Sequence, residues 1–203
     1  MEVVVSEIFI SSKNIRRLLK TLVSEFSAPE ILNDIANSLN INQMKNKEWL
    51  IDHVISYIDS IPKHPNIAII AGWYGLAGGM LAKQVPCDIT VIDKNPSCAI
   101  IGKKLFPNLK HVTSDINDTS LKNYDIIICT ACEHISDEEI NDVIRKKDKS
   151  TIVFLQSNNY NEIEDHTNCK NSVDDFANSL KLNVYKKYTL SLDKYERFMV
   201  IGK

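Results

Sequence analysis

Hydrophobic positions change their spacing partway along the chain. In the first sixty residues they recur at helical intervals, as in Ile15, Leu18, Leu22 and Val23. Beyond the proline-containing stretch at 61–65, short apolar runs rich in β-branched residues alternate with amphipathic segments. We therefore predict a helical N-terminal region, residues 1–62, followed by an α/β domain, residues 63–203.

Three helices are predicted before the α/β domain. The first carries the apolar stripe described above, and the second opens at the capping box Ser27-Ala-Pro-Glu30. The third is predicted from about Lys47 to Ser60. These helices have three possible roles: core on the edge of the sheet, a cap over a substrate site, or a dimer interface. The sequence does not separate the three.

The second region predicts a mostly parallel, Rossmann-like sheet with helices on both faces, because strand and helix signals alternate along it. Two final runs, Val184–Leu190 and Arg197–Ile201, flank a turn and predict an antiparallel hairpin. The other predicted strands are Ile67–Ala71, Ile89–Ile92, His111–Thr113, Asp125–Cys129 and Ile152–Gln156, and the predicted helices are Leu76–Gln84, Ser97–Leu105, Ser136–Lys147 and Ser172–Leu180.

Composition narrows the class of protein. The chain is 44% hydrophobic and 25% charged, as is usual for globular domains. A net charge of −2 argues against a broad basic face for duplex nucleic acid. There is no apolar run of about 20 residues and no basic signal-like start, and five cysteines at irregular spacing do not suggest a disulfide framework. We expect a cytoplasmic protein with reduced thiols.

A glycine-containing turn and a following acid carry the first chemical signal. Gly72 and Gly75 lie between the first predicted strand and its helix, and Asp93 ends the second strand. Asp93 follows Gly72 at the interval of about 20 residues found in nucleoside sites of open α/β sheets. There the turn admits a ligand to the backbone, and the carboxylate binds two ribose hydroxyls. Alternatively, the two glycines only form a tight turn.

With the strand order and the terminal hairpin, these residues make the chain resemble class I S-adenosylmethionine (SAM) dependent methyltransferases over roughly Ile67 to Lys203. The resemblance extends loosely to small methyltransferase-like proteins of phages and bacteria. It implies that the glycine turn wraps the methionine part of SAM, that Asp93 binds the ribose and that Asp115 contacts the adenine. The predicted cofactor-binding residues are Gly72, Trp73, Tyr74, Gly75, Asp93, Lys94, Asp115, Ile116 and Thr130.

The loop departs from the family pattern, which commonly has three spaced glycines, because Trp73 and Tyr74 separate the two present here. A dinucleotide-binding reading fits less well. It would place Tyr74 where a second glycine must admit a pyrophosphate. A phosphate loop of the form GxxxxGK[ST] is absent from the sequence.

Polar residues after the fourth and fifth strands predict the acceptor side of the site. Glu133 and His134 follow the fourth strand, where the resemblance places the transferring methyl group, and His166 lies beyond the fifth. We expect these three to be catalytic, binding the acceptor or accepting its proton. Alternatively, Glu133 and His134 only cap the next helix. The predicted substrate-binding residues are Asn158, Asn159 and Tyr160.

The pair Cys129 and Cys132 has the spacing of a redox or zinc motif. Cys129 ends an apolar strand, so we expect it to point into the core as a small hydrophobic side chain. His134, His166 and Cys169 do not complete a zinc-ribbon or zinc-finger spacing. No metal is predicted.

The sequence thus predicts a SAM-dependent methyltransferase with an undetermined acceptor. The net charge favours a small molecule as the methyl acceptor, and a protein or a single-stranded nucleic acid remains an alternative acceptor. One alternative is an enzyme that transfers an aminocarboxypropyl or aminopropyl group from SAM. Another is a catalytically decayed SAM-fold accessory protein. Oligomeric state is left open.

Overall fold

A seven-stranded mixed sheet forms the centre of the computed structural model, which describes Ile35, residues 37–58 and residues 64–203. The helices are α1 (Ile41–Ile58), α2 (Leu76–Leu81), α3 (Pro96–Leu105), α4 (Asp137–Lys146) and α5 (Val173–Ser179), and a 3₁₀ turn spans Cys132–His134. The strands are β1 (Asn66–Ile70), β2 (Asp88–Asp93), β3 (Lys110–Thr113), β4 (Ile126–Cys129), β5 (Ile152–Asn158), β6 (Val184–Ser191) and β7 (Glu196–Gly202).

The strand order is β3-β2-β1-β4-β5-β7-β6. Strands β1 to β5 are parallel, with Ile67 opposite Ile89 on one side and Ile126 on the other. Strand β7 runs antiparallel to β5, and β6 antiparallel to β7. This confirms the predicted Rossmann-like sheet with its antiparallel hairpin. The order reverses between β1 and β4, which is where open α/β sheets bind ligands at their carboxyl edge.

Helices cover both faces of the sheet, which explains why its central strands are apolar throughout. Strand β4, Ile-Ile-Ile-Cys, is buried at every position. Ile126 and Ile128 pack on the side of α1 and α2, whereas Ile127 and Cys129 pack on the side of α4 and α5. The alternating direction of side chains along a strand thus divides one apolar run between two cores.

Helix α1 belongs to the first of these cores. Leu50, Ile51 and Val54 are at most 1% exposed and join the cluster that contains Phe154 and Met199. The helix begins at Ile41, six residues earlier than the predicted Lys47. The first predicted helix, most of the second and the join at residues 59–63 lie outside the described residues. The division into regions 1–62 and 63–203, and the choice between cap and dimer interface, stay predictions.

Local capping agrees with the sequence signals. Ser136 accepts a hydrogen bond from the Glu139 N–H, and the Glu139 carboxylate accepts one from the Ser136 N–H, so the predicted capping box of α4 is confirmed. Asn95 caps α3 and Ser172 caps α5.

Across the described part of the chain, helices lack the combination of length and apolar character that crossing a lipid bilayer requires.

Candidate active site at the carboxyl ends of the strands

The turn after β1 holds an unusual backbone conformation. Ala71 and Trp73 have φ values of 47° and 53°, a left-handed region that L-residues seldom occupy, and Gly75 has φ 84°. A Cβ at Gly72 would lie 2.7 Å from Val91 Cγ1, so only glycine fits above the sheet there. Such strain persists only where the surroundings enforce it, and it concentrates at functional sites.

Asp93 holds this turn in place. Its Oδ2 accepts a hydrogen bond from the Trp73 N–H at 2.9 Å, and its Oδ1 accepts one from the Asn95 N–H at 2.9 Å. A carboxylate oxygen has two acceptor positions, so each oxygen keeps one for a ligand. Asp93 thus joins the turn after β1 to the end of β2 while still offering a pair of acceptors.

A cavity of about 140 Å³ opens beside Asp93. It brings predicted cofactor residues from the ends of β2 and β3 together with His134, a predicted catalytic residue from beyond β4. Its lining residues are Ala71, Asp93, Lys94, Asp115, Ile116, His134, Ile135 and Glu139. The lining does not include the other predicted cofactor-binding residues, which are Gly72, Trp73, Tyr74, Gly75 and Thr130.

The two bulky residues of the turn pack against its underside. Tyr74 is 5% exposed and lies in a cluster with Ile35, Cys98 and Ile101. The Trp73 ring stacks on the Tyr74 ring, with centroids 5.4 Å apart and planes 24° apart. The Tyr74 ring therefore supports the turn from the core, and only its backbone is available to a ligand.

His111 fills the space below the same turn. It is 6% exposed, burial lowers its pKa, and its Cε1 would be 2.4 Å from a Cβ at Gly102.

We expect Gly102→Ala to lower the free energy of unfolding by about 1 to 2 kcal/mol, because overpacking outweighs the gain in helix propensity. Urea unfolding measures this. The penalty should shrink in a background carrying His111→Ala, and an equal penalty in both backgrounds would contradict the account.

The segments after β4 and β5 are fastened to each other. The Asn168 N–H donates to the Glu133 carbonyl at 2.9 Å, and its side-chain amide donates to the Ile135 carbonyl at 2.6 Å. Lys170, 8% exposed, pairs with Asp137 at 2.7 Å. Asn168 and Lys170 were not predicted as site residues, because nothing along the chain indicates that these two segments meet.

These contacts bring two predicted catalytic histidines together, with ring centroids 4.7 Å apart. His134 Nδ1 lies 2.9 Å from the Asp165 carbonyl oxygen, and His166 Nδ1 lies 2.7 Å from that of Tyr160. A carbonyl only accepts, so in each ring Nδ1 carries the hydrogen. The neutral form of each ring then presents Nε2 as a lone pair. His134 is exposed and His166 is half-buried.

Glu133, the third predicted catalytic residue, is held in a buried ion pair. Its Oε1 lies 2.5 Å from Nη1 of Arg197, and the two residues are 4% and 3% exposed. Arg197 Nη2 also donates to the Thr130 carbonyl. Among the described residues, Glu133 Oε2 and Arg197 Nε have no hydrogen-bond partner. The carboxylate is therefore oriented by Arg197 and keeps one free oxygen.

A lysine from α1 lies near this pair. Lys47 is 6% exposed and donates to Gln43 Oε1 at 2.7 Å. Desolvation, followed by the charge of Arg197, lowers its pKa to about 7, against the opposing charge of Glu133. Both cations had a sequence signal. Lys47 occupies the apolar stripe with Leu50, Ile51 and Val54, and Arg197 directly precedes the apolar run of β7.

The three predicted substrate-binding residues mainly shape the turn after β5. Asn158, 1% exposed, accepts the Tyr160 N–H through Oδ1 at 2.9 Å. Asn159 Oδ1 accepts the Glu196 N–H at 2.8 Å. The half-buried Tyr160 ring stacks on Tyr195 with centroids 5.0 Å apart. Both amide oxygens are therefore engaged by backbone groups, and contact with an acceptor stays a prediction.

The five cysteines are unpaired. Cys129 is 1% exposed in the core, as expected, and Cys132 is fully buried. Burial and the neighbouring Cys129 raise the pKa of the Cys132 thiol well above its ordinary value. Since the thiolate is the reactive form, this shift and its burial lower the reactivity of the Cys132 thiol.

Comparison with known proteins shows the fold. No protein-family model matches the sequence, and no curated protein matches it. Among solved structures, a TehB-like SAM-dependent methyltransferase from Corynebacterium glutamicum aligns over 95% of this chain and 97% of its own, with TM-score 0.59 and 15% identity. A Clostridium acetobutylicum SAM-dependent methyltransferase aligns over 86% and 98%, with TM-score 0.64 and 13% identity. The Synechocystis magnesium protoporphyrin IX methyltransferase, solved with bound SAM, aligns over 94% and 91%, with TM-score 0.60 and 13% identity. The chain has the fold of the SAM-dependent methyltransferases.

Proposed function

We propose that this protein transfers a methyl group from SAM to a small-molecule acceptor. The fold supports the proposal, as does the position of the cavity beside the point where the strand order reverses. The Synechocystis relative in fold, whose name specifies a porphyrin substrate, has SAM bound in its structure. The net charge of −2 fits a small acceptor better than duplex nucleic acid.

Asp93 is the observation that carries the proposal. Its two oxygens are oriented by the N–H groups of Trp73 and Asn95, and each keeps an acceptor position beside the cavity. A ribose diol offers two hydroxyl donors at matching separation, so this carboxylate fits the sugar of SAM. We assign the adenine end to Asp115 and Ile116, which line the same cavity, and the methionine end to the turn at Gly72 and Gly75.

On the acceptor side, we assign proton transfer and positioning to the cluster after β4 and β5. SAM supplies an electrophilic methyl group on a sulfonium centre. A hydroxyl or amine acceptor must lose a proton as the new bond forms, and Nε2 of His134 or His166 can accept it. Arg197 fixes Glu133, whose free Oε2 can accept a hydrogen bond from the acceptor.

Calorimetric titration tests the cofactor assignment. We expect SAM and S-adenosylhomocysteine to bind the wild-type chain, and Asp93→Asn to weaken both by about 10- to 100-fold. The substitution removes a charged acceptor, and hydrogen bonds to charged groups contribute about 1.5 to 3 kcal/mol. Asparagine keeps one side-chain oxygen and nearly the same shape, so effects on folding are smaller than those of alanine.

Asp88→Asn is the matched control, since Asp88 lies at the opposite end of the same strand and pairs with His64 at 3.3 Å. Its affinity for SAM should equal that of the wild type. Equal SAM affinity in Asp93→Asn and Asp88→Asn would overturn the assignment, as would binding of NADH in place of SAM. Release of S-adenosylhomocysteine with a metabolite extract and methyl-labelled SAM would establish methyl transfer. Release of methylthioadenosine would overturn it.

A further inference from the structure

Three ligand-type side chains converge at the acceptor side of the site. A carboxylate oxygen of Glu133 and one ring nitrogen each of His134 and His166 all lie within 4.8 Å of one another. Glu133 and His134 lie in the 3₁₀ turn after β4, and His166 lies in the loop after β5. We propose that this cluster, Glu133, His134 and His166, binds a divalent transition-metal ion such as Zn²⁺.

The hydrogen bonds of the two histidines match those of metal ligands. A ligating histidine usually donates its other ring N–H to a carbonyl or carboxylate, which fixes the tautomer and the ring orientation. His134 does so to the Asp165 carbonyl and His166 to the Tyr160 carbonyl, both through Nδ1. These backbone contacts fix the orientation of both rings and leave the Nε2 lone pair of each ring available to a metal ion.

The third ligand is a buried carboxylate oxygen without a partner. Glu133 is 4% exposed, and its Oε2 has no hydrogen bond with any residue that the structure describes. An unsatisfied oxygen of this kind costs free energy unless a ligand compensates it. Arg197 occupies only Oε1, so it orients the carboxylate and leaves Oε2 available.

The donor set points to a metal class. Two imidazoles and one carboxylate, with positions left for water or substrate, are the ligands of catalytic zinc and of ferrous sites, whereas Mg²⁺ and Ca²⁺ prefer oxygen ligands. Tetrahedral ligands about 2.0 to 2.2 Å from zinc are about 3.3 to 3.6 Å apart, so any donor atoms near the 4.8 Å limit must move closer when the ion binds. His134 is exposed on a turn and can make that movement. The nearby positive charge of Arg197 weakens the binding of a cation.

The role of the ion rests on the proposed function, whereas its binding does not. With the ion bound, the ring nitrogens and the Glu133 oxygen are ligands, so the ion replaces them in activating the acceptor. An acceptor hydroxyl bound to the ion would lose its proton to water at lower pH than a free hydroxyl. The resulting oxyanion would attack the methyl carbon, forming the C–O bond as the C–S⁺ bond breaks and the electron pair goes to sulfur. The products are the methyl ether and S-adenosylhomocysteine, whose thioether sulfur is uncharged. A metal here therefore favours hydroxyl acceptors, which need activation more than amines do.

Metal titration of the untagged, full-length chain tests the inference. We expect one Zn²⁺ per chain in competition with a chromophoric chelator, and Co²⁺ substitution should give the visible bands of an imidazole-containing site. His134→Ala and His166→Ala should each weaken Zn²⁺ binding at least tenfold, and the double variant should abolish it. Thermal melting checks that these loop variants fold.

His64→Ala is the matched control, since His64 lies two residues before β1 and pairs with Asp88. Its Zn²⁺ affinity should be unchanged, and so should that of Cys169→Ser, whose Sγ lies 3.9 Å from His166 Nδ1. Absence of Zn²⁺ binding, or binding insensitive to both His134→Ala and His166→Ala, would overturn the inference. SAM calorimetry on the wild-type chain separates the two proposals, because SAM binding without Zn²⁺ binding defeats only the metal site, and the reverse result defeats only the cofactor assignment.

Discussion

Arg197→Met is expected to lower the free energy of unfolding by about 3 to 5 kcal/mol, the usual cost of removing one partner of a buried ion pair. The cost arises from Glu133 more than from the lost contact, because the carboxylate stays buried without its counter-ion at 4% exposure. Methionine preserves the unbranched, apolar part of the arginine side chain. Urea unfolding of the two proteins at pH 7 measures the difference.

Arg145→Met is a matched control on the same protein. Arg145 pairs with Asp142 at 2.6 Å, but its side chain is 71% exposed, so the change should cost less than about 1 kcal/mol. The double variant Glu133→Leu with Arg197→Met removes both buried charges and should recover much of the stability that Arg197→Met loses. If Arg197→Met and Arg145→Met cost the same, the ion pair does not contribute as its burial implies.

Lys47→Met is expected to stabilise the protein, with a gain that depends on pH. Burial lowers the pKa of Lys47 from 10.5 to about 7, so the unfolded chain binds more protons between these values. The wild type therefore loses stability as the pH falls from 10.5 to 7, and the full penalty is present below pH 7. At about 1.4 kcal/mol for each pH unit, the penalty is about 5 kcal/mol at pH 6 and about 2 kcal/mol at pH 9.

The measurement is the difference in unfolding free energy between Lys47→Met and the wild type at pH 6 and at pH 9. Loss of the Lys47 hydrogen bond to Gln43 subtracts about 1 kcal/mol at both values, so the decrease in the difference is the sharper test. Lys45→Met, two residues away on the same helix and half-buried, should show no such decrease. A difference independent of pH would show that Lys47 does not titrate in this range.

Most of the sheet was predictable because its signals are local. The apolar runs at Ile67–Ala71 and Asp125–Cys129 lie within a residue of β1 and β4, since strands covered on both faces need continuous apolar residues. Ser136 and Glu139 predicted the start of α4 because a capping box is formed by residues three apart. The start of α1 was wrong by six residues, because its first turns carry polar residues that do not show helical periodicity.

The ion pair between Glu133 and Arg197 was not predictable, although each residue was visible along the sequence. Sixty-four positions separate them, and only the antiparallel pairing of β7 with β5 brings Arg197 to the turn after β4. The contact between His134 and His166 likewise depends on hydrogen bonds made by Asn168. Neither Asn168 nor Lys170 carries a pattern that names its partner.

The sequence by itself determined the alternating elements, the glycine-containing turn and the acid at the end of β2, because each is marked by residue types and spacings along the chain. Tertiary structure alone decided which polar residues face one another at the carboxyl edge and which are buried. The tertiary structure buries the Tyr74 ring in the core and brings Lys47 close enough to Arg197 for their charges to interact. It also places one oxygen of Glu133 near the rings of His134 and His166. These contacts, and the effect of burial on these charges, arise where segments distant in the sequence pack together. The local spacing of residues does not specify that packing.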